Sequence, residues 1–264
     1  MRNAWKLAVR GYPFAKGRGK LIAMARQSIT GIVVVNDHQG NRLLLDLDNH
    51  IDSMIFLEGG YEDRAVANLA KIAKDRNCDH FIDAGANIGV YSLRFARDPG
   101  YHHLWAFEPD PRNFKQFAAN LWLNRVHDRV TVSDVALSAT DGDTTFYVST
   151  PRRPDGKWNF NTGTSSLLKA GSDLHSAIKV QMRRLDQMVK VIGQNILIKI
   201  DVEGAEQMVL DGAAELMKNN KCLIMLEIWS ETAGALEKMI NYMSARGYHR
   251  LSAELGNENY LFGN

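Results

Sequence analysis

Carboxylates close several of the apolar runs in this chain. Phe81-Ile82-Asp83-Ala84-Gly85-Ala86-Asn87-Ile88-Gly89 ends such a run on an acid and follows it with two glycines. Gly85 lets the backbone turn tightly and pass close to a ligand, and Gly89 lets a helix start against the preceding strand. A dinucleotide site would need G-x-G-x-x-G, because the pyrophosphate lies against glycine backbone at a helix N-terminus. Here Asn87 replaces the second glycine, which suits a ligand with an amine and a nucleoside better than a diphosphate; a plain structural turn is the alternative. Glu108, in Phe107-Glu108-Pro109-Asp110-Pro111, follows Asp83 by 25 residues. One helix and one strand fill that spacing, so both carboxylates emerge at one sheet edge, where Glu108 can accept two hydrogen bonds from a ribose diol. Asp110 and Pro111 read as the N-cap and first residue of the next helix. Asp134 closes the third run, as a partner for an exocyclic amine such as that of adenine or as the start of a turn.

A second group lies in Ile198-Lys199-Ile200-Asp201-Val202-Glu203-Gly204. Lys199 and Asp201 are two apart in a strand and share a face. A carboxylate that accepts the hydrogen bond of an alcohol as its proton leaves is a general base; Asp201 is the first candidate and Glu203 the second. The competing reading is a Lys199–Asp201 ion pair, with Glu203 or Glu206 complementing a helix N-terminus. A divalent cation bridging Asp201 and Glu203 lacks a further carboxylate at ligand spacing, and the eight histidines show no H-E-x-x-H or H-x-x-x-H pattern, so no metal is expected. Ser165 and Ser166, in a Gly-Thr-Ser-Ser segment, offer hydroxyls to a substrate or form a flexible turn. Cys78 and Cys222 read as structural thiols.

The elements that must position these groups follow from periodicity. Residues 31–35 and 42–47 form a hairpin about a turn at 36–40, and 51–57 is a short apolar stretch ending at Gly59-Gly60. A helix over 62–76 leads to strand 80–83, helix 89–97, strand 104–107, helix 111–124 and strand 130–135. Extended segments at 143–148 and 178–183 bracket a long loop over 149–166. Strand 195–200, helix 205–217, strand 221–228, helix 231–246 and strands 248–252 and 259–262 complete the chain. Strands alternating with helices imply right-handed crossovers and a parallel sheet.

With 264 residues, 45% of them hydrophobic and 23% charged, the composition is that of a globular protein and excludes disorder. No run approaches the ~20 apolar residues of a membrane helix, and no apolar h-region opens the chain, so a soluble, cytoplasmic protein is expected. The net charge of +2 hides an asymmetry: residues 1–36 contain seven Lys and Arg and no acid. This arm reads as a solvated, partly mobile tail, or as a face toward an anionic substrate, an acidic partner or a membrane surface. Within it Trp5, Leu7 and Val9 alternate with polar or small residues, and 21–26 reads as a short helical turn.

Taken in order, the segments 83–92, Ala106-Phe107-Glu108-Pro109, Val135-Ala136-Leu137-Ser138 with Asp141-Gly142, 163–167 and 198–206 resemble the FkbM family of S-adenosylmethionine-dependent methyltransferases. The resemblance spans about residues 55–230. It implies the class I methyltransferase fold, a Rossmann-like α/β architecture with a seven-stranded, mostly parallel sheet flanked by helices, the last strand antiparallel. A basic N-terminal extension with a β-hairpin (1–55) would precede the methyltransferase domain (56–264). The resemblance also implies S-adenosyl-L-methionine as cofactor, with Asp83, Gly85, Asn87 and Gly89 on its methionine and ribose side, Glu108 on the diol, Asp134 and Val135 at the adenine, and Glu62 and Asp201 nearby. O-methylation of a hydroxyl on a sugar, glycan or secondary metabolite is the expected reaction, with Asp201, Glu203 and Lys199 as catalytic candidates. N-methylation of a small molecule or peptide is the alternative. A nucleic-acid methyltransferase would need a base-holding Asn/Asp-Pro-Pro-Tyr type motif after the fourth strand, so no nucleic-acid partner is expected.

Overall fold

The computed structural model describes residues 2–14, 16–149, 161–167, 175–228, 234–256 and 258–264. The chain opens with α1 (Arg2–Gly11) and α2 (Arg18–Ser28), followed by the antiparallel hairpin of β1 (Ile32–Asn36) and β2 (Arg42–Asp46). The basic arm is therefore folded. Alternation at Trp5, Leu7 and Val9 does not produce a strand; a helix turns Trp5 and Val9, four apart, onto the core and leaves Leu7 exposed. The apolar stretch after the hairpin is α3 (His50–Glu58), stopped by Gly59 in the left-handed region, whose N–H reaches back to Ile55 O.

Next come α4 (Asp63–Asp75), β3 (His80–Ala84), α5 (Val90–Ala96), β4 (His103–Phe107), α6 (Pro111–Leu123) and β5 (Val130–Ser133). Asp110 caps α6 as expected, its carboxylate accepting Arg112 N–H at 3.0 Å. Three short strands, β6 (Ala136–Leu137), β7 (Gly142–Ser149) and β8 (His175–Arg183), form a separate sheet with β8 in the middle. Of the loop expected over 149–166, residues 150–160 lie outside the described residues.

After α7 (Leu185–Met188) and β9 (Asn195–Ile200), the helix expected over 205–217 is two pieces, α8 (Glu206–Asp211) and α9 (Ala214–Asn219). It breaks at Gly212, which presses on the Ser138 backbone; a Cβ there would stand 2.1 Å from Ser138 O. The chain ends with β10 (Lys221–Glu227), α10 (Ala235–Ser244), β11 (His249–Leu251) and β12 (Asn259–Gly263); residues 231–233 of the expected last helix lie outside the described residues.

The main sheet has the order β11-β12-β10-β9-β3-β4-β5, with β12 antiparallel to both neighbours and the other pairings parallel. Strand order reverses between β3 and β9. The connections leaving their carboxyl ends therefore run to opposite sides of the sheet and open a crevice, the place where open α/β sheets take ligands. Apolar clusters cover both sheet faces, and Leu43, Leu45 and Leu47 of the N-terminal segment belong to the same cluster as Phe81 and Leu104. The hairpin is also strapped to α6: Asn120 accepts Leu44 N–H at 2.7 Å and donates to Ile88 O at 3.0 Å, while Asn124 accepts Arg42 N–H and donates to Arg42 O. Residue 55, where the sequence divides extension from domain, lies inside α3.

Candidate active site

Strand ends put acids into the crevice because the last residue of a buried strand is the first free to carry a charge. The register pairs Asp83 with Lys199, and Asp201 N–H continues the ladder to Ala84 O at 3.1 Å. Lys199, almost fully buried, donates to Gly85 O at 2.9 Å, and its Nζ lies 3.0 Å from Asp201 and 3.6 Å from Asp83. The ion pair read from the sequence is thus present. Burial works against the Lys199 ammonium, but Asp201 and Asp83 outweigh it and hold the group charged, above its ordinary range.

Glu227, at the end of β10, completes the group. It faces Asp201: burial first, then the hydrogen bond to Asp201, push the Glu227 carboxyl up to about 10. Burial also pushes at Asp201, yet Lys199 and the hydrogen bond donated by Glu227 keep its carboxylate below the usual range. Glu203 is pushed up to about 8 by burial and by Asp201 and Glu206. Ser166 Oγ donates to Glu203 O at 2.7 Å, and Glu206 accepts Gly204 N–H at 2.9 Å, so the loop carrying Glu203 is braced from two sides.

Across the cavity Glu62 accepts a hydrogen bond from Tyr91 OH at 2.8 Å. Glu108, 4% exposed, accepts Asn87 N–H and Asp110 N–H, both at 2.8 Å. Burial nonetheless pushes its carboxyl up to about 8. Non-glycine residues with positive φ number five among the described residues, and three of them, Glu62, Asn87 and Glu203, are on the cavity wall. Such backbone costs ~1–3 kcal/mol each and gathers where a site must be held in one shape. Gly85 has φ 78°, and a Cβ there would stand 1.8 Å from Asp201 O, so only glycine lets the two strand ends approach.

Of the residues singled out in the sequence, Glu62, Gly85, Asn87, Glu108, Val135, Ser165, Lys199, Asp201 and Glu203 line this one cavity. Asp83 lies beneath it, fully buried against Ser92 Oγ and Lys199. Gly89 packs on Phe117 at the start of α5, and Ser166 turns to Glu203. Asp134 is exposed and outside the cavity; β5 ends at Ser133, so the strand-end position falls one residue earlier than the sequence suggested. Sequence reasoning did not single out Glu227, Tyr91, His50 or Asn161, which also line the cavity. Glu227 carried a legible signal, being an acid that closes a buried run next to the strand of Asp201.

The cavity fits a cationic nucleoside. Carboxylates outnumber Lys199, Phe107, Val135 and Leu137 offer an apolar wall, and Asn87 Oδ1 is buried with no hydrogen-bond partner. Glu227 is the further carboxylate that the sequence spacing did not offer: Asp201, Glu203 and Glu227 stand close enough to hold a metal ion, their oxygens within 4.8 Å of one another, which corrects the ground on which a metal was not expected. The Lys199 ammonium and the proton on Glu227 already offset charge there.

The family model for the methyltransferase FkbM domain matches residues 83–250. The chain is similar to Methyltransferase 1 of Beauveria bassiana, 32% identical over 149 residues, covering 51% of this chain and 58% of that protein. It is similar to Methyltransferase sdnD of Sordaria araneosa at 27% over 194 residues, 63% of this chain and 72% of that one. Similarity to 2-O-methyltransferase NoeI of Sinorhizobium fredii is 29% over 147 residues, 53% and 59% of the two chains. The match thus covers less than two thirds of two of these relatives. Among solved structures, the human methyltransferase 10 domain containing protein superimposes with a TM-score of 0.51 at 12% identity, over 92% of this chain and 95% of that one.

Proposed function

The chain belongs to the FkbM methyltransferase family and has the class I methyltransferase fold, and from that premise we propose that it uses S-adenosyl-L-methionine to methylate a hydroxyl on a sugar, glycan or secondary metabolite. The observation that carries this reading is one cavity holding Glu108 on one side and the Lys199–Asp201–Glu203–Glu227 group on the other. Glu108 suits a ribose diol, since its two backbone donors leave lone pairs free on both oxygens. Val135 and Phe107 suit the adenine, and Glu62 with Tyr91 suits the methionine end.

When bound, the cofactor supplies an electrophilic methyl on a cationic sulfonium. The chain then has to align an acceptor oxygen with that methyl and exclude water, which accounts for much of the acceleration in such a displacement. The acceptor must also lose a proton. Asp201 is committed to Lys199 and Glu227, and a carboxylate held below its ordinary range is a poor base. Glu203, pushed up to about 8, is better matched to proton transfer near neutrality. We therefore give Glu203 the proton and Asp201 the orientation of the hydroxyl. NoeI, a 2-O-methyltransferase by name, lends support to oxygen as the acceptor atom.

Calorimetry of the whole chain with S-adenosyl-L-methionine and with NAD tests the cofactor, and preference for NAD would overturn the proposal. Mass spectrometry of candidate glycans and alcohols after incubation tests the reaction; methyl appearing on nitrogen alone would replace the O-methyl assignment.

A further inference from the structure

Large apolar side chains left exposed are not scattered over this molecule. Of eight such residues among the described ones, six lie between positions 7 and 34: Leu7, Tyr12, Phe14, Met24, Ile32 and Val34. Leu7 is 73% and Phe14 65% exposed. Isolated exposed apolar residues are ordinary, but concentration in one short segment marks a contact surface. The same segment holds five of the seven basic residues of the acid-free arm, with Arg2 and Lys6 just before it, while the chain after residue 36 is net negative.

The segment is also firmly held. Arg10 donates from Nε to Leu57 O and from Nη2 to Phe56 O, both at 3.1 Å, at the C-terminal turn of α3. Lys6 lies over the Phe56 ring, and Arg26 donates to Ser53 Oγ at 2.9 Å. These contacts fix the inner faces of α1 and α2 and leave Leu7, Met24, Lys16 and Lys20 outward, the two lysines with no ion pair among the described residues. No helix among the described residues is long and apolar enough to cross a membrane, so an embedded role is not what these side chains serve.

We propose that α1, α2 and the turn between them form a docking face for an anionic lipid surface, with the lysines at the headgroups and Leu7, Tyr12, Phe14 and Met24 inserted at the interface. Charge complementarity supports this occupant, and the negative body sets a single orientation, because it is repelled by the surface that attracts the arm. Lipid is favoured over nucleic acid because Leu7 and Met24 of this face, and Ile32 and Val34 on the adjoining β1, are aliphatic and give bases no plane to stack on. The face connects to the cavity through α3, whose other end supplies His50 and Ile51 to the cavity wall. The inference is independent of the acceptor and of the methyl-transfer assignment.

The test is co-sedimentation of the full chain with vesicles of phosphatidylcholine and of phosphatidylcholine mixed with phosphatidylglycerol, at low and high salt. Binding to the anionic vesicles, weak binding to the neutral ones and loss at high salt are expected. Lys16→Glu/Lys20→Glu lowers the partition coefficient by at least about fivefold per site, the contribution of one cation near such a surface. Leu7→Ser/Phe14→Ser lowers it by about tenfold or more. Circular dichroism of both variants shows whether the fold is kept, and Leu7→Ser and Phe14→Ser tested singly replace a double variant that does not fold. Failure to bind anionic vesicles, equal binding to neutral ones, or folded variants that bind like the parent would overturn the proposal. So would binding to single-stranded RNA in the absence of vesicle binding.

Discussion

Glu108 offers the most quantitative test of the cofactor site. In the free protein burial pushes its carboxyl up to about 8, against two backbone N–H donors that favour the anion. A ribose diol adds two more donors, so the bound state favours ionised Glu108. The sign follows: binding releases a proton below about pH 8, and affinity rises with pH until the free carboxyl is ionised. At about pH 7 roughly one tenth of the free protein is ionised, so the apparent Kd is about tenfold weaker than at about pH 9, scaling as the reciprocal of the competent fraction. The probe should be 5′-methylthioadenosine, which keeps the adenine and diol but lacks the amino-acid end, so neither its own amine nor Glu62 obscures the titration. Calorimetry in buffers of different ionisation enthalpy counts the proton directly. Glu108→Gln removes the titration and sets an amide NH₂ against Asn87 N–H or Asp110 N–H, leaving a buried donor unmet at ~1–3 kcal/mol of folding stability, read in urea unfolding. A flat Kd with no proton released, or a Gln variant that keeps the pH dependence, would refute the reasoning.

Lys199→Met leaves Asp83 and Asp201 buried without their cation and should cost ~3–5 kcal/mol in urea unfolding; the carboxyl pKa values rise in the variant, so the loss grows as pH rises. Asn120→Leu strips Leu44 N–H and Ile88 O of their partner at ~1–3 kcal/mol for each group, and the Leu44 amide should lose protection from hydrogen exchange. Glu203→Gln should lower kcat by about 10²–10⁴ with cofactor affinity nearly unchanged, and the parent's rate should rise with pH through about 8 as Glu203 ionises. If Asp201→Asn instead shows the larger loss and Glu203→Gln little, the two roles are reversed.

What the sequence made legible was local. Asp83, Gly85 and Glu108 sit at strand ends fixed by a run of apolar residues and a glycine turn, so their position follows from period and spacing alone. Asp201 and Lys199 share a face for the same reason. Missed features depend on contacts remote in sequence. Tyr91 enters the site where its hydroxyl meets Glu62, 29 residues away, and residue 212, between α8 and α9, has to be glycine because Ser138 leaves no room for a Cβ. The arm read ambiguously because its outward Leu7 imitates a strand's alternation; a helix explains Leu7 only once α1 is seen lying on α3.

The pattern of charge in the cavity has its own logic. Attracting a sulfonium requires negative charge, but in the transition state that positive charge is leaving the sulfur. A cavity with every carboxylate ionised would hold the ground state more tightly than the transition state and slow the transfer. Protons held on Glu227, and on Glu203 below about pH 8, together with the buried Lys199, bring the local charge down without removing the hydrogen-bonding atoms. The crowding that raises these pKa values also leaves Glu203 ready to ionise as the pH rises, when a base is needed for the acceptor hydroxyl. In the proposed reaction, one arrangement of acids around a single lysine would therefore serve cofactor attraction, restraint of ground-state binding and proton removal, and the third would depend on Glu203 having a higher pKa than Asp201.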